Sequence, residues 1–133
     1  MKIVTSIAKQ NGYCPDTWVS PTSVYNMGRP YPYMVFENMK QLKIHDVRNV
    51  IKVGDTISDI EEGLHAGVIT IGILEGSSLM GLTREEYEYL STEEKQLLLA
   101  RLTKKYKDAG ADHVILHAGE LLALIASLNE VNA

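Results

Sequence analysis

Ile51-Lys52-Val53-Gly54-Asp55-Thr56-Ile57-Ser58-Asp59 is the stretch from which the fold can be read. Val50, Ile51 and Val53 make an apolar run of strand length, and Gly54-Asp55 stops it. Residues 57–66 then read as a short helix, with Gly67 where a helix-ending glycine belongs. Open α/β sheets bind ligands beyond the carboxyl ends of their strands, so Asp55 arrives at a functional position. Gly54 lets the backbone turn sharply and come close to a bound group. Asp59 falls on the first turn of the helix, so both carboxylates can face one point. Oxygen ligands at a strand end suit Mg²⁺, which keeps several waters and shares its shell with phosphate oxygens. Two plainer readings stay open. Asp59 can answer the positive end of its own helix, and Asp55 can be a turn-forming aspartate.

Outward from this stretch the pattern alternates. Residues 68–73 are rich in β-branched side chains and read as a second buried strand. After Gly76-Ser77-Ser78 comes a polar stretch, then a helix over 92–109 stopped by Gly110, a strand over 114–116, and a closing helix over 118–128. Upstream, Ile3, Ile7 and Ala8 share one face of a helix over 2–11 that Gly12 ends, and Trp18-Val19 reads as a short strand. A loop with Pro21, Asn26 and Gly28 leads to a helix opened by Pro30 or Pro32, whose apolar positions are Met34, Val35, Met39 and Leu42. Strands alternating with helices predict a single α/β domain with a Rossmann-like parallel sheet and helices on both faces.

Composition agrees with one hydrophobic core: 133 residues, 45% hydrophobic and 23% charged. The net charge of −4 offers no basic stripe for nucleic acid. Lys104, Lys105 and Lys107 form a dense basic cluster and read as a solvated helix face. No apolar run reaches membrane-spanning length, and no signal-peptide core follows Met1-Lys2, so a soluble, cytoplasmic protein is expected. Cys14 is the single cysteine, which excludes a disulfide within the chain and suits a reducing compartment. It lies in a Gly-Tyr-Cys-Pro turn with no histidine nearby in sequence, which argues against a nucleophile. His45, His65, His113 and His117 read as surface or core histidines; only the last two have i, i+4 spacing, and the expected strand breaks a shared helical face.

Gly28-Arg29-Pro30-Tyr31-Pro32 is the second informative segment. Prolines on the loop fix a cation just before a helix. A guanidinium held there can offset the charge of a phosphoryl group and of a nucleophilic carboxylate. Tyr31 and Tyr33 read equally well as pocket lining and as packing beside the loop.

Together, Gly28-Arg29-Pro30-Tyr31-Pro32 and Ile51-Lys52-Val53-Gly54-Asp55-Thr56 resemble the third and fourth motifs of the haloacid dehalogenase superfamily. Gly12-Tyr13, Pro15-Asp16, Glu62-Gly63, Ala66-Gly67, Gly76-Ser77-Ser78 and Gly81-Leu82-Thr83 extend the resemblance to the phosphonoacetaldehyde hydrolase family. That resemblance implies cleavage of a carbon–phosphorus bond, giving acetaldehyde and phosphate. It implies an aspartate nucleophile, an imine-forming lysine on a cap domain, and Mg²⁺ as cofactor. By motif, Asp55 corresponds to the magnesium ligand, Asp59 to the acid that holds the ion's waters, and Arg29 to the catalytic and substrate-binding cation. The expected partners are a small phosphonate or phosphate substrate and, as an assembly, a homodimer.

Two parts of the family's pattern have no counterpart. No strand-Asp-x-Asp or strand-Asp-x-Ala motif precedes Gly28, and Asp16 stands before Trp18-Val19 rather than after a strand. Lys2, Lys9 and Lys52 lie in no cap-like insert, and Ile3-Val4-Thr5-Ser6 only imitates the superfamily's second motif. The expectation is therefore the carboxyl-terminal part of a core domain, over 1–133, inactive alone, with Met1 an internal methionine or the start of a truncated frame. Two alternatives stand beside it: a phosphatase or phosphomutase of the same superfamily, and a non-catalytic remnant that binds Mg²⁺ weakly or pairs with a partner chain.

Overall fold

A computed structural model describes residues 6, 7, 9–12 and 14–131. Among the described residues three parallel strands form one sheet in the order β1 (Ile51–Gly54), β2 (Ile69–Ile73), β3 (His113–Ile115). The register sets Lys52 opposite Thr70, Gly54 opposite Gly72, and Gly72 opposite Val114. Accompanying it are the helices α1 (Tyr33–Gln41), α2 (Ile57–Ala66), α3 (Arg84–Glu88), α4 (Thr92–Ala109) and α5 (Leu121–Val131). The chain is thus α/β, with a Rossmann-like parallel sheet, as the alternating pattern predicted.

Local chemistry explains the boundaries. Thr56 caps α2 by accepting from the Asp59 amide, and Gly67 ends it in a left-handed conformation, φ 73°. That conformation frees the Gly67 amide to bond carbonyls of the last turn. α3 and α4 each open with a reciprocal capping box, Thr83 with Glu86 and Ser91 with Glu94. α3 is not among the helices expected from the sequence, although Thr83-x-x-Glu86 is its signature.

α2 joins β1 to β2 and packs on both strands, on α1 and on α4. The larger core cluster centres on Ile60, Leu102 and Tyr106, each at most 1% exposed, with Leu74, Met80 and Ala111. Val35, Met39, Ala66 and Val68 make a smaller cluster where α1 meets α2. Full burial of such side chains stabilises by roughly 1.5–3 kcal/mol each. The Tyr106 ring lies over Gly72, where any Cβ would come within 2.8 Å of it, and its hydroxyl donates to the Ile73 carbonyl at 2.9 Å.

Several expectations need correction. Trp18 and Val19 form no strand, since two residues with no strand alongside have no ladder to join. β1 is only half-buried rather than buried, because among the described residues it pairs on one side alone. Leu42 caps the end of α1 and is exposed, not inside. The closing helix splits into a 3₁₀ turn, Ala118–Glu120, and α5. Helix is seen at residues 6, 7, 9 and 10; Ile3 and Ala8 of the helix expected there lie outside the described residues.

Candidate functional site

β1 delivers Gly54-Asp55 to the carboxyl end of the sheet, and α2 starts immediately after it. Thr56 is donor and acceptor at once: its hydroxyl donates to Asp59 Oδ2 at 2.8 Å and accepts from the Asp59 amide at 3.1 Å. The Asp55 amide reaches the same Oδ2 at 3.3 Å. Asp59 therefore folds back over the strand end, and Gly54 is what makes room. A Cβ on Gly54 would stand 2.2 Å from the Asp59 Cβ. The glycine expected to admit a bound group has Asp59 as its nearest neighbour.

The other oxygen of Asp59 meets two cations. Arg29 Nη1 donates to Oδ1 at 2.7 Å, and Lys52 Nζ lies 3.0 Å from it. Lys52 also reaches Glu62 Oε1 at 2.7 Å. Burial pushes the Asp59 carboxyl up, but hydrogen bonds from Arg29, Thr56 and Lys52 reverse this and hold it far below the usual carboxylate range. The hydrogen bond and charge of Asp59 in turn raise the Arg29 pKa. An ionised carboxylate has about four lone-pair sites, and Arg29, Lys52, Thr56 and the Asp55 amide approach all of them.

Asp55 is different. Its side chain is exposed and makes no hydrogen bond or ion pair with the described residues. It lines an open crevice of about 360 Å³ with Val53, Gly54, Ile73, Glu75, Gly76 and Ala118, beyond the carboxyl ends of the strands. Among the described residues no three His, Cys, Asp or Glu side chains converge. A free carboxylate beside a crevice fits one hard-oxygen position of a Mg²⁺ shell, which characteristically takes one or two carboxylates and fills the rest with water and phosphate oxygens.

Arg29 is set by its loop. His65, at the end of α2, donates from Nδ1 to the Pro30 carbonyl at 2.8 Å, tying that loop to the helix that carries Asp59. Tyr31 and Tyr33 stack on one another, ring centroids 6.0 Å apart, and both remain largely exposed. The structure thus brings Arg29, Asp55 and Asp59 to one end of β1. Lys52, Glu62 and His65 belong to the same arrangement and were missed as site residues. The available signal was spacing, since Asp59 and Glu62 are i, i+3 on one helix face. Asp16 sits in an exposed bend and Cys14 is exposed. His117 caps the 3₁₀ turn by accepting from the Gly119 amide. No described helix is long and apolar enough to cross a membrane.

A family model described as HAD-hydrolase-like matches residues 26–102, more than half of the chain, including Arg29, Lys52, Asp55, Asp59 and Glu62. The chain belongs to the HAD-hydrolase-like family. Within that family, it is 45% identical over 98% of its length to phosphonoacetaldehyde hydrolase of Lysinibacillus sphaericus, of which it covers 48%. It is 42% identical over 97% of its length to that of Bacteroides fragilis, of which it covers 49%. A crystal structure of a phosphonoacetaldehyde hydrolase-like protein from Oleispira antarctica superposes with a TM-score of 0.86 at 35% identity, over 98% of this chain and 47% of the other. This HAD-hydrolase-like chain spans about half the length of the curated relatives it matches.

Proposed function

We propose that this chain supplies the Asp55–Arg29 side of a hydrolase that cleaves the carbon–phosphorus bond of phosphonoacetaldehyde to acetaldehyde and phosphate. One observation carries the reading: a carboxylate left free, Asp55, and a guanidinium held in place, Arg29, share the end of β1. The names of relatives that match nearly the whole chain support the substrate. Residues 1–133 then form the carboxyl-terminal part of one core domain, with the nucleophilic aspartate and the imine-forming lysine on residues outside this chain. Lys52 is no candidate for the imine, because its ammonium is engaged by Asp59 and Glu62.

Arg29 binds phosphoryl oxygens and fixes their orientation; its planar fork suits two of them at once. Asp55 would hold Mg²⁺, and the ion when bound would supply charge that screens the phosphoryl oxygens from an attacking carboxylate. Asp59 holds Arg29 and touches the ion's waters only at the cost of one of its present partners. Phosphonoacetaldehyde with Mg²⁺ should give no acetaldehyde with this chain alone, and should give it when the chain is fused to a nucleophile-bearing amino-terminal half. Acetaldehyde from the chain alone would mean that the nucleophile lies within it. In the fusion, Asp55→Asn should shift the Mg²⁺ dependence far more than Asp59→Asn; equal shifts would make the two carboxylates equivalent ligands.

A further inference from the structure

Lys52 and Glu62 have no part in the chemistry just described, yet they are packed beside it. Asp59 and Glu62 project from one face of α2 toward β1, and the Lys52 ammonium sits between them. Glu62 is 1% exposed, and its Oε2 is buried with no hydrogen-bond partner among the described residues. A carboxylate buried with half its acceptors idle is costly, so its place needs a reason. The reason lies in Asp59 Oδ1, which is shared by Lys52 and by Arg29. Two cations on one oxygen compete. Glu62 draws the ammonium to 2.7 Å, closer than the 3.0 Å at which it meets Asp59, and so leaves the shorter 2.7 Å contact on that oxygen to Arg29. The Arg29 side chain is itself 48% exposed, and Asp59 is its single ion-pair partner among the described residues.

We propose that Lys52 and Glu62 are positioning residues: Glu62 draws the Lys52 ammonium away from Asp59 Oδ1, so that this oxygen fixes the guanidinium of Arg29. The inference takes the role of Arg29 from the function proposed above. Removing the charge of Glu62 leaves Lys52 one anion, and the ammonium moves onto Asp59 at the expense of Arg29. Groups that orient a functional side chain in this way typically change activity by 10–100-fold when mutated.

The test has two arms. In the first, side-chain NMR of the 133-residue chain follows the Arg29 Nε–H and the rotation of its guanidinium, a readout that a purely structural role would not move. In the second, kcat and KM for phosphonoacetaldehyde are measured in the fusion with a nucleophile-bearing half. Glu62→Gln should free the rotation of Arg29 and lower kcat at least roughly tenfold with KM within about twofold. Lys52→Met/Glu62→Met removes both charges in similar volume, a change that buried ion pairs generally tolerate. That double variant removes the competing ammonium together with the carboxylate that restrains it, so it should fold, keep Arg29 fixed on Asp59 and hold kcat near the parental value. A folded Glu62→Gln variant with an immobile Arg29 and parental kcat overturns the proposal, as does a folded double variant with Arg29 as loose as in Glu62→Gln, or a double variant that cannot fold. Release of Arg29 in a fusion that does not hydrolyse phosphonoacetaldehyde would uphold the positioning role and reject the substrate instead.

Discussion

Lys104 and Asp108 on α4 meet at 2.7 Å, and Lys52 and Glu62 between β1 and α2 meet at the same 2.7 Å. The first two side chains are 77% and 64% exposed, the second two 21% and 2%. Distance alone makes the pairs equal; surroundings make them different. On α4, water screens the charges and both long side chains lose freedom by pairing, so the net contribution is about 0.3–0.5 kcal/mol. Between strand and helix the charges have already left water. There the attraction mainly offsets desolvation, and the pair contributes little stability while being expensive to break. The outer pairs, which include Arg84 with Glu88 and Arg48 with Asp46, decorate the surface. The inner network holds a geometry.

The most severe way to break this contrast is Lys52→Met. It leaves Glu62 without a cation and Asp59 with Arg29 alone, and should cost about 3–5 kcal/mol in denaturant unfolding of the chain. A loss below about 1 kcal/mol would put the inner network on the same footing as the outer pairs. Next comes Arg29→Ala in the fusion enzyme. A charge-assisted contact in a water-poor site contributes on the order of 2–4 kcal/mol, so turnover should fall by roughly a hundredfold or more, with KM less affected. Arg29→Lys keeps the charge without the planar fork and should retain partial activity. Near-parental turnover in the alanine variant would make the Gly-Arg-Pro loop structural.

Acid separates the two regions more gently. The folded Asp59 pKa is depressed, so its contribution is fully present above the unfolded value of about 3.9 and is lost as pH falls toward the folded value. Stability should therefore decline below about pH 4, and the Asp59→Asn chain should show a shallower decline over that window. Parallel pH curves would mean that Asp59 titrates alike folded and unfolded. Asp46 is also pushed down, to about 2, by hydrogen bonds from Arg48, but its partner's side chain lies out in water. The smallest effect is expected from Lys104→Ala, within about 0.5 kcal/mol and further reduced by salt.

The alternation of strands and helices, the glycine stops and the Asp55 turn were legible because each is written in neighbouring residues. Residues 57–66 are read as the helix that is found, with Gly67 marking its end in the next position. The segment at Trp18-Val19 misled for the opposite reason, because a strand exists only through its partner. Lys52 was invisible as a site residue: a lysine in an apolar strand gives no hint of what stands across from it. Glu62 was quoted as part of a family resemblance without a task of its own. Its task depends on α2 folding back on β1, a tertiary fact that spacing hints at and packing decides.

β1 has one further consequence. Among the described residues its second edge carries no strand, and beside it runs an open groove of about 420 Å³ lined by Val19, Met34, Leu42, Ile51, Lys52 and Glu62 among others. Unpaired amides and apolar walls side by side invite another chain. Any chain that paired with that edge would add RT ln(1 + [L]/Kd) to the stability of the native state, and the melting temperature would then be a function of concentration rather than a constant of the sequence.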